Sequence, residues 1–116
     1  MKTSNNPLLE HTFNFSLEII NYCELLENER KYVIARQLLR SGTSIGANSY
    51  EAQSPESNAD FIHKLKLADK EVRETEYWLL LCERATTYPK DPGLRRRLKE
   101  IEKLLSSIIS SSKKKY

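Results

Sequence analysis

The sequence predicts an all-α protein that folds as an antiparallel up-down-up-down four-helix bundle, with one domain spanning residues 1–116. Apolar residues recur at alternating steps of three and four along four segments, which is the spacing of amphipathic helices. Only three glycines and four prolines occur, too few for the many turns of an all-β fold. A chain of this length closes one hydrophobic core, not two.

The first helix is predicted over residues 7–26. Asn6 precedes Pro7, a pair typical of an N-cap followed by the first helical residue. Its apolar side chains form a broad face made of Phe13, Leu17, Ile19, Ile20, Cys23 and Leu26. The wholly polar residues 27–30 suit a short reversal into the next helix.

The second helix is predicted over residues 31–52. Its seam contains several small or polar residues and reads Ile34, Leu38, Ser41, Ile45, Asn48 and Ala52. Gly42 and Gly46 each lower helix propensity by about 1 kcal/mol relative to Ala. We therefore expect tertiary contacts to hold this helix, with close backbone approach as the compensation.

The third helix is predicted over residues 57–88 and gives the most regular pattern of the four. Its seam is Phe61, Leu65, Ala68, Val72, Thr75, Leu79 and Cys82. Two starts remain open, because Ser54-Pro55 and Ser57 with Asp60 both resemble helix N-termini.

The fourth helix is predicted over residues 91–110, with Asp91 as the cap and Pro92 as the first helical residue. Its seam is Leu94, Leu98, Ile101, Leu105 and Ile108. We expect residues 111–115 to fray.

The charge is unevenly distributed. Residues 1–58 hold five Lys/Arg and seven Asp/Glu, a balance of −2, whereas residues 59–116 hold fourteen and nine, a balance of +5. A basic half suits either an acidic partner such as RNA or an ordinary solvated surface.

Cys23 and Cys82 lie far apart among apolar helical neighbours, without metal-ligand spacing, so we interpret both as reduced core thiols. No apolar run approaches a membrane span and no secretion signal is apparent, which predicts a cytoplasmic protein with no membrane partner. Neither His11 nor His63 has a Glu three residues before it, as a di-iron bundle requires. We therefore expect neither metal nor cofactor.

The stretch from Arg36 to Leu81 resembles a bacterial four-helix-bundle family named for 23S ribosomal-RNA intervening sequences. The resemblance rests on RQLLRSGTSIGAN at 36–48, Glu51-Ala52-Gln53, DFIHKL at 60–65 and KEVRETEYWL at 70–79. It implies a homopentamer, a ring of bundles around a central channel, with a poorly defined molecular function and suspected nucleic-acid binding. The family often has Ala where this chain has Tyr50, a substitution that we expect to change packing near the end of the second helix.

Polar residues in the matching segments form a candidate interhelical network, made of Arg40, Asn48, Glu51, Glu74 and Glu76. Such a network would pair Arg40 with a carboxylate and bond Asn48 across the bundle, fixing helix register. The alternative is an acid–base site built from Glu51 and Glu74, since paired carboxylates in a dry cleft separate their pKa values.

The densest basic cluster is the candidate nucleic-acid-binding surface and consists of Arg95, Arg96, Arg97, Lys99 and Lys103. Repeated in an oligomer, it would give salt-sensitive affinity for the phosphate backbones of RNA or DNA. Lys66, Lys70 and Arg73 make a second basic stripe. Ordinary intrahelical ion pairs are the alternative interpretation of both.

Tyr77, Trp78 and Leu81 exceed what one bundle face needs, and we interpret them as a candidate subunit interface. The sequence contains no Gly-rich phosphate loop and no nucleophile paired with a base. The favoured hypothesis is therefore a non-enzymatic homo-oligomer, with nucleic-acid binding as the alternative.

Overall fold

The computed structural model describes residues 5–114 and forms four α-helices in that range. They are α1 (Pro7–Asn28), α2 (Tyr32–Glu51), α3 (Asn58–Arg84) and α4 (Gly93–Lys113). Residues 5–114 contain no strand, and the molecule measures 49 × 26 × 21 Å. The predicted all-helical four-helix bundle is confirmed.

Each helix packs against two neighbours, in the cyclic order α1, α2, α3, α4. Helix α1 is therefore diagonal to α3, and α2 is diagonal to α4. Helices α1 and α2 run antiparallel: Ile19 of α1 lies against Gly42, whereas Cys23, one turn later in α1, bonds the earlier Ala35 carbonyl. Helices α2 and α3 also run antiparallel, because Arg40 of α2 pairs with Glu74, whereas the later Glu51 pairs with the earlier Lys64 of α3. None of the four helices is long and apolar enough to cross a membrane.

The core follows the predicted seams of α3 and α4 closely. Every residue of the α3 seam except the half-buried Phe61 is buried, and every residue of the α4 seam except the half-buried Ile108 is buried. In α2, Ser49 lies in the core and the predicted seam residue Asn48 is only half-buried.

Part of the predicted apolar face of α1 does not face the core. Phe13, Leu17 and Ile20 are 38–47% exposed. The side chains of α1 that fill the core are Leu8, Phe15, Ile19, Tyr22, Cys23 and Leu26. The broad apolar face of α1 thus divides into a buried row and an exposed row.

The turn between α1 and α2 begins later than residues 27–30 suggest. Helix α1 continues to Asn28, and Arg30 adopts a left-handed conformation with φ of 61°. The Lys31 N–H donates to the Leu26 carbonyl at 2.8 Å, and the Arg30 N–H donates to the Glu27 carbonyl at 2.9 Å. This is a Schellman ending built with Arg, where glycine is usual.

Of the two predicted N-caps of α3, the structure shows Ser57. Its Oγ accepts a hydrogen bond from the Asp60 N–H at 3.0 Å, and Asp60 Oδ2 accepts from the Glu56 N–H at 3.1 Å. Ser54 and Pro55 lie in the preceding loop. The reciprocal bonding resembles a capping box.

The predicted end of α3 at residue 88 is wrong, because the helix ends at Arg84. The Lys90 ammonium donates to the carbonyls of Cys82, Glu83 and Ala85 at 2.5–3.0 Å. These contacts satisfy carbonyl groups that have no partner inside the helix.

Helix α4 begins and ends later than predicted. It starts at Gly93, whose N–H bonds Asp91 Oδ1 at 3.2 Å, so Asp91 still serves the helix start. It continues through Ser111 and Ser112 to Lys113, where fraying was expected. The buried Ser112 carbonyl accepts a hydrogen bond from Asn58, and this contact ties the end of α4 to α3.

Candidate assembly and nucleic-acid-binding surfaces

Tyr77, Trp78 and Leu81, the candidate subunit interface, lie in the second half of α3. Tyr77 is 57% exposed and Leu81 is 39% exposed, while Trp78 is half-buried. The Tyr77 and Trp78 rings meet edge to face with centroids 5.4 Å apart. Tyr77 and Leu81 are one helical turn apart, so they form a continuous apolar patch on the surface.

A charged cluster fixes the position of Trp78. Arg40 on α2 reaches Glu71 at 3.0 Å and Glu74 at 2.5 Å, both on α3. The indole Nε1–H of Trp78 donates to Glu74 Oε2 at 3.0 Å. The hydrogen bonds from Trp78 and Arg40 lower the pKa of Glu74 below its ordinary value. The predicted pairing of Arg40 with a carboxylate across two helices is present, with Glu71 as an additional member.

The other predicted network residues do not join this cluster. Asn48 Nδ2 donates to the Ser44 carbonyl at 2.9 Å within α2, so its predicted bond across the bundle is wrong. Glu51 is exposed and pairs with Lys64 at 3.3 Å. Glu76 makes no hydrogen bond or salt bridge to any of residues 5–114.

Glu51 and Glu74 are too far apart for a shared acid–base site. Glu74 contacts Arg40, and Glu51 lies eleven residues further along α2, about 16 Å along the helix axis. Each carboxylate is instead bound by its own cation, Arg40 or Lys64. No dry cleft holds the two together.

A buried hydroxyl pair joins α2 and α3 and was not singled out from the sequence. Thr75 Oγ1 donates to Ser41 Oγ at 2.9 Å, and both residues are fully buried. The available signal was that each sits on the predicted seam of its helix. Two hydroxyls on facing seams satisfy each other when the register brings them together.

A second exposed apolar surface lies on the outer side of α1 and α2. It is the exposed row of α1, Phe13, Leu17 and Ile20, together with Leu39 and Tyr50 of α2. Phe13 and Tyr50 line a cleft of about 270 Å³ between the two helices. Gly46 also lines this cleft, and a Cβ atom there would lie 3.3 Å from the Thr12 carbonyl oxygen. The large residue at position 50 thus faces the surface and does not disturb the core.

Part of the basic cluster of α4 forms ion pairs within the molecule. Arg95 bonds Glu83 at 2.9 Å, and Arg97 pairs with Glu18 and lies 3.7 Å from Asp91. These two arginines join α4 to the rest of the bundle. They are consequently less available to a ligand than the spacing suggests.

Three of the five side chains in this basic cluster remain exposed to solvent: Arg96, Lys99 and Lys103. Lys99 pairs with Glu102 one turn away at 3.1 Å. Within the described part of the chain, Arg96 and Lys103 form no salt bridge. The candidate nucleic-acid-binding surface therefore narrows to these three residues.

Neither the histidines nor the cysteines form a reactive centre. Across residues 5–114, no group of three His, Cys, Asp or Glu side chains could hold a metal ion. His11 and His63 are exposed. Cys23 and Cys82 are buried free thiols, and burial raises the pKa of Cys23 to about 12 and also raises the pKa of Cys82. Thiols with raised pKa values are poor nucleophiles at neutral pH.

The sequence matches the family described as 23S rRNA-intervening sequence protein over residues 5–108. Among solved structures, the chain is similar to a protein with unknown function from the S23 ribosomal protein family of Bacteroides thetaiotaomicron VPI-5482, with a TM-score of 0.83. The two chains are 45% identical, and the match covers 88% of this chain and 97% of that one. No curated protein matches the chain.

Proposed function

The chain belongs to the 23S rRNA-intervening sequence protein family, and from this premise we propose that it is a non-enzymatic scaffold that assembles as a homopentamer. The exposed apolar patch at Tyr77 and Leu81 carries the proposal. An exposed apolar patch often marks an interaction surface of a soluble protein, and a second copy of the chain is the simplest cover. The family resemblance favours five copies.

The charged cluster behind the patch supports an interface. Glu74, which Arg40 also binds, accepts a hydrogen bond from the Trp78 indole and so orients this ring within a single copy. A side chain that is already ordered loses less entropy on binding, so a fixed aromatic suits a contact surface. Tyr and Trp are also the residues that contribute most at interface centres.

The distribution of ionisable groups supports a role without catalysis. Glu51 and Glu74 are separated and individually paired, and the two buried thiols have raised pKa values. A general acid–base or nucleophilic mechanism needs such groups within hydrogen-bond reach of each other.

Light scattering coupled to size-exclusion chromatography tests the assembly. We expect the mass of five copies of the 13.5 kDa chain at micromolar concentration. Leu81→Glu should reduce the mass to that of a monomer, because it places a charge in the apolar patch. Leu25→Glu is the matched control, since Leu25 is an exposed leucine of α1 outside the Phe13 row. A monomeric wild-type protein contradicts the proposal.

Nucleic-acid binding is the second candidate and rests on Arg96, Lys99 and Lys103. These side chains are exposed on one helix, and five copies would repeat them around a ring. Each cation bound to a phosphate releases a counterion, so affinity would fall steeply with salt.

Filter binding to a structured RNA at two salt concentrations tests this candidate. The double variant Arg96→Glu with Lys103→Glu should abolish binding. The control, Arg30→Glu with Arg36→Glu, makes the same change in net charge on exposed residues outside α4 and should retain binding. Equal losses in the two variants would indicate an effect of net charge alone, and unchanged binding in both would remove α4 as the site.

A further inference from the structure

We infer that copies of this chain join head to tail, with the outer surface of α1 in one copy packed against the outer surface of α3 in the next. This inference rests on the proposed homo-oligomer and assigns its contact surfaces. We name these surfaces the acidic face, made of Phe13, Leu17 and Ile20 with Glu10, Glu24 and Glu27, and the basic face, made of Tyr77 and Leu81 with Lys66, Lys70, Arg73 and Arg84.

Besides the exposed apolar side chains of α2, the molecule exposes an apolar row on α1 and an apolar patch on α3, which are diagonal helices. The row of α1 and the patch of α3 lie at opposite corners of the bundle, so one neighbour cannot cover both. A two-fold dimer needs only one self-complementary surface. Two different surfaces on one chain are what a head-to-tail contact requires, and such contacts form a ring when the rotation between successive copies closes.

The acidic face carries a single sign of charge. Helix α1 contains four glutamates and neither Lys nor Arg. Glu18 pairs with Arg97, but Glu10, Glu24 and Glu27 form no salt bridge to residues 5–114 and are exposed. Successive residues of an α-helix are rotated by about 100° around its axis, so these three glutamates lie on the same side of α1 as Phe13 and Ile20.

The basic face carries the opposite charge around its apolar patch. Its cations Lys66, Lys70, Arg73 and Arg84 are all exposed and lie within about 60° of one another around α3. Arg73 has a partner at 3.5 Å in Asp69, and the other three form no salt bridge within residues 5–114. Charge complementarity therefore selects the acidic face of another copy as the occupant.

The heights of the two faces along the bundle also agree. Ile19 of α1 lies against Gly42, and the adjacent Ser41 bonds Thr75 of α3, so Ile19 and Thr75 lie at about the same height. Helices α1 and α3 both run antiparallel to α2 and hence parallel to each other. Adding 75 − 19 = 56 to a residue number in α1 gives the residue of α3 at that height.

This offset brings opposite charges together at both ends of the contact. Glu10 falls at the height of Lys66, and Glu27 falls within one residue of Arg84. In a ring whose symmetry axis is parallel to the helices, equivalent residues of all copies lie at the same height along that axis. Each of these charge pairs would therefore meet across the contact between two copies. The apolar side chains lie between the two pairs, and the charges fix the register of the contact.

Reversing the charges of Glu27 and Arg84 tests whether the acidic face and the basic face contact each other. Glu27→Arg and Arg84→Glu should each raise the dissociation constant of the assembly at least about tenfold, because each places like charges opposite one another. The double variant Glu27→Arg with Arg84→Glu should restore assembly, since the pair is reversed and intact. Far-UV circular dichroism checks that each variant is folded.

The outcomes separate this inference from the proposed function. A wild-type protein that is monomeric overturns both. A wild-type oligomer that tolerates each single charge reversal, or that the double variant fails to restore, overturns the assignment of faces and leaves the homo-oligomer standing.

Cysteine cross-linking supplies an independent readout. The double variant Glu27→Cys with Arg84→Cys should form a disulfide-linked ladder on oxidation, while neither single variant should form a dimer through its new thiol. A covalent dimer of the Glu27→Cys variant alone would show that two acidic faces meet, and it would overturn the head-to-tail contact.

Discussion

Thr75 and Ser41 form a hydroxyl pair at the buried contact between α3 and α2, with Oγ atoms 2.9 Å apart. Ser41→Ala should destabilise the protein by about 1–3 kcal/mol, because it leaves a buried Thr75 donor without this partner. Thr75→Val should cost about 1 kcal/mol, since Ser41 retains a long 3.5 Å bond to the Leu38 carbonyl.

The double variant Ser41→Ala with Thr75→Val distinguishes pairing from simple loss of hydroxyl groups. It should cost less than the sum of the two single changes, because no polar group remains unsatisfied. Denaturant unfolding at one fixed protein concentration measures all four proteins, since assembly contributes to apparent stability. Additive free energies would mean that the two hydroxyls act independently.

Gly42 allows α2 to approach α1 closely. A Cβ atom there would lie 2.9 Å from both Cγ1 and Cγ2 of Ile19, closer than packed carbon atoms come. Gly42→Ala should therefore destabilise by about 1–3 kcal/mol, despite a helix-propensity gain of about 1 kcal/mol. Thermal unfolding measures the change. On an Ile19→Ala background, the same substitution should become neutral or stabilising, and an unchanged penalty would contradict the proposed clash.

The regular parts of this fold could be predicted because burial is periodic. The α3 seam from Leu65 to Cys82 consists of apolar or small residues at uninterrupted steps of three and four, and every one of them is buried. In α1 the predicted apolar face included the exposed Phe13 and omitted the buried Phe15, since the two residues are equally apolar. A surface that another copy covers has the same composition as a core, and a single sequence does not separate the two.

Helix ends and site partners were predicted less well, for a different reason. Arg30 occupies a left-handed position without the glycine that usually marks it, and Lys90 ends α3 from a separate segment. Arg40 was identified as an ion-pair residue, but its pairing with both Glu71 and Glu74 depends on side-chain rotamers. Such contacts follow from three-dimensional register and leave no local pattern.

Lys90 stabilises the last turn of α3 by donating to three carbonyl groups. Lys90→Met keeps most of the side-chain volume and removes the ammonium, so it should cost about 1 kcal/mol. Amide exchange near residues 81–84 should accelerate as the last turn frays. Lys103→Met is the matched control, because Lys103 is exposed on α4. Equal exchange rates in both variants would contradict a capping role for Lys90.

Glu74 makes the only tryptophan of the chain a reporter of acid titration. The hydrogen bond from Trp78, followed by that from Arg40, lowers the pKa of Glu74 from its ordinary 4.5. A carboxylate whose pKa is lower in the folded state contributes stability above its unfolded pKa, and this contribution is lost as pH falls through the folded pKa. Trp78 fluorescence should therefore change with a midpoint below pH 4.5, as protonation removes the charge that the indole N–H contacts.

Three variants test this assignment of the transition. Glu74→Gln should abolish the transition, and Arg40→Met should move its midpoint upward. Glu51→Gln should leave the midpoint in place, because Glu51 pairs with Lys64 elsewhere. A midpoint at or above 4.5 in the wild-type protein would contradict the charged hydrogen bond between Trp78 and Glu74.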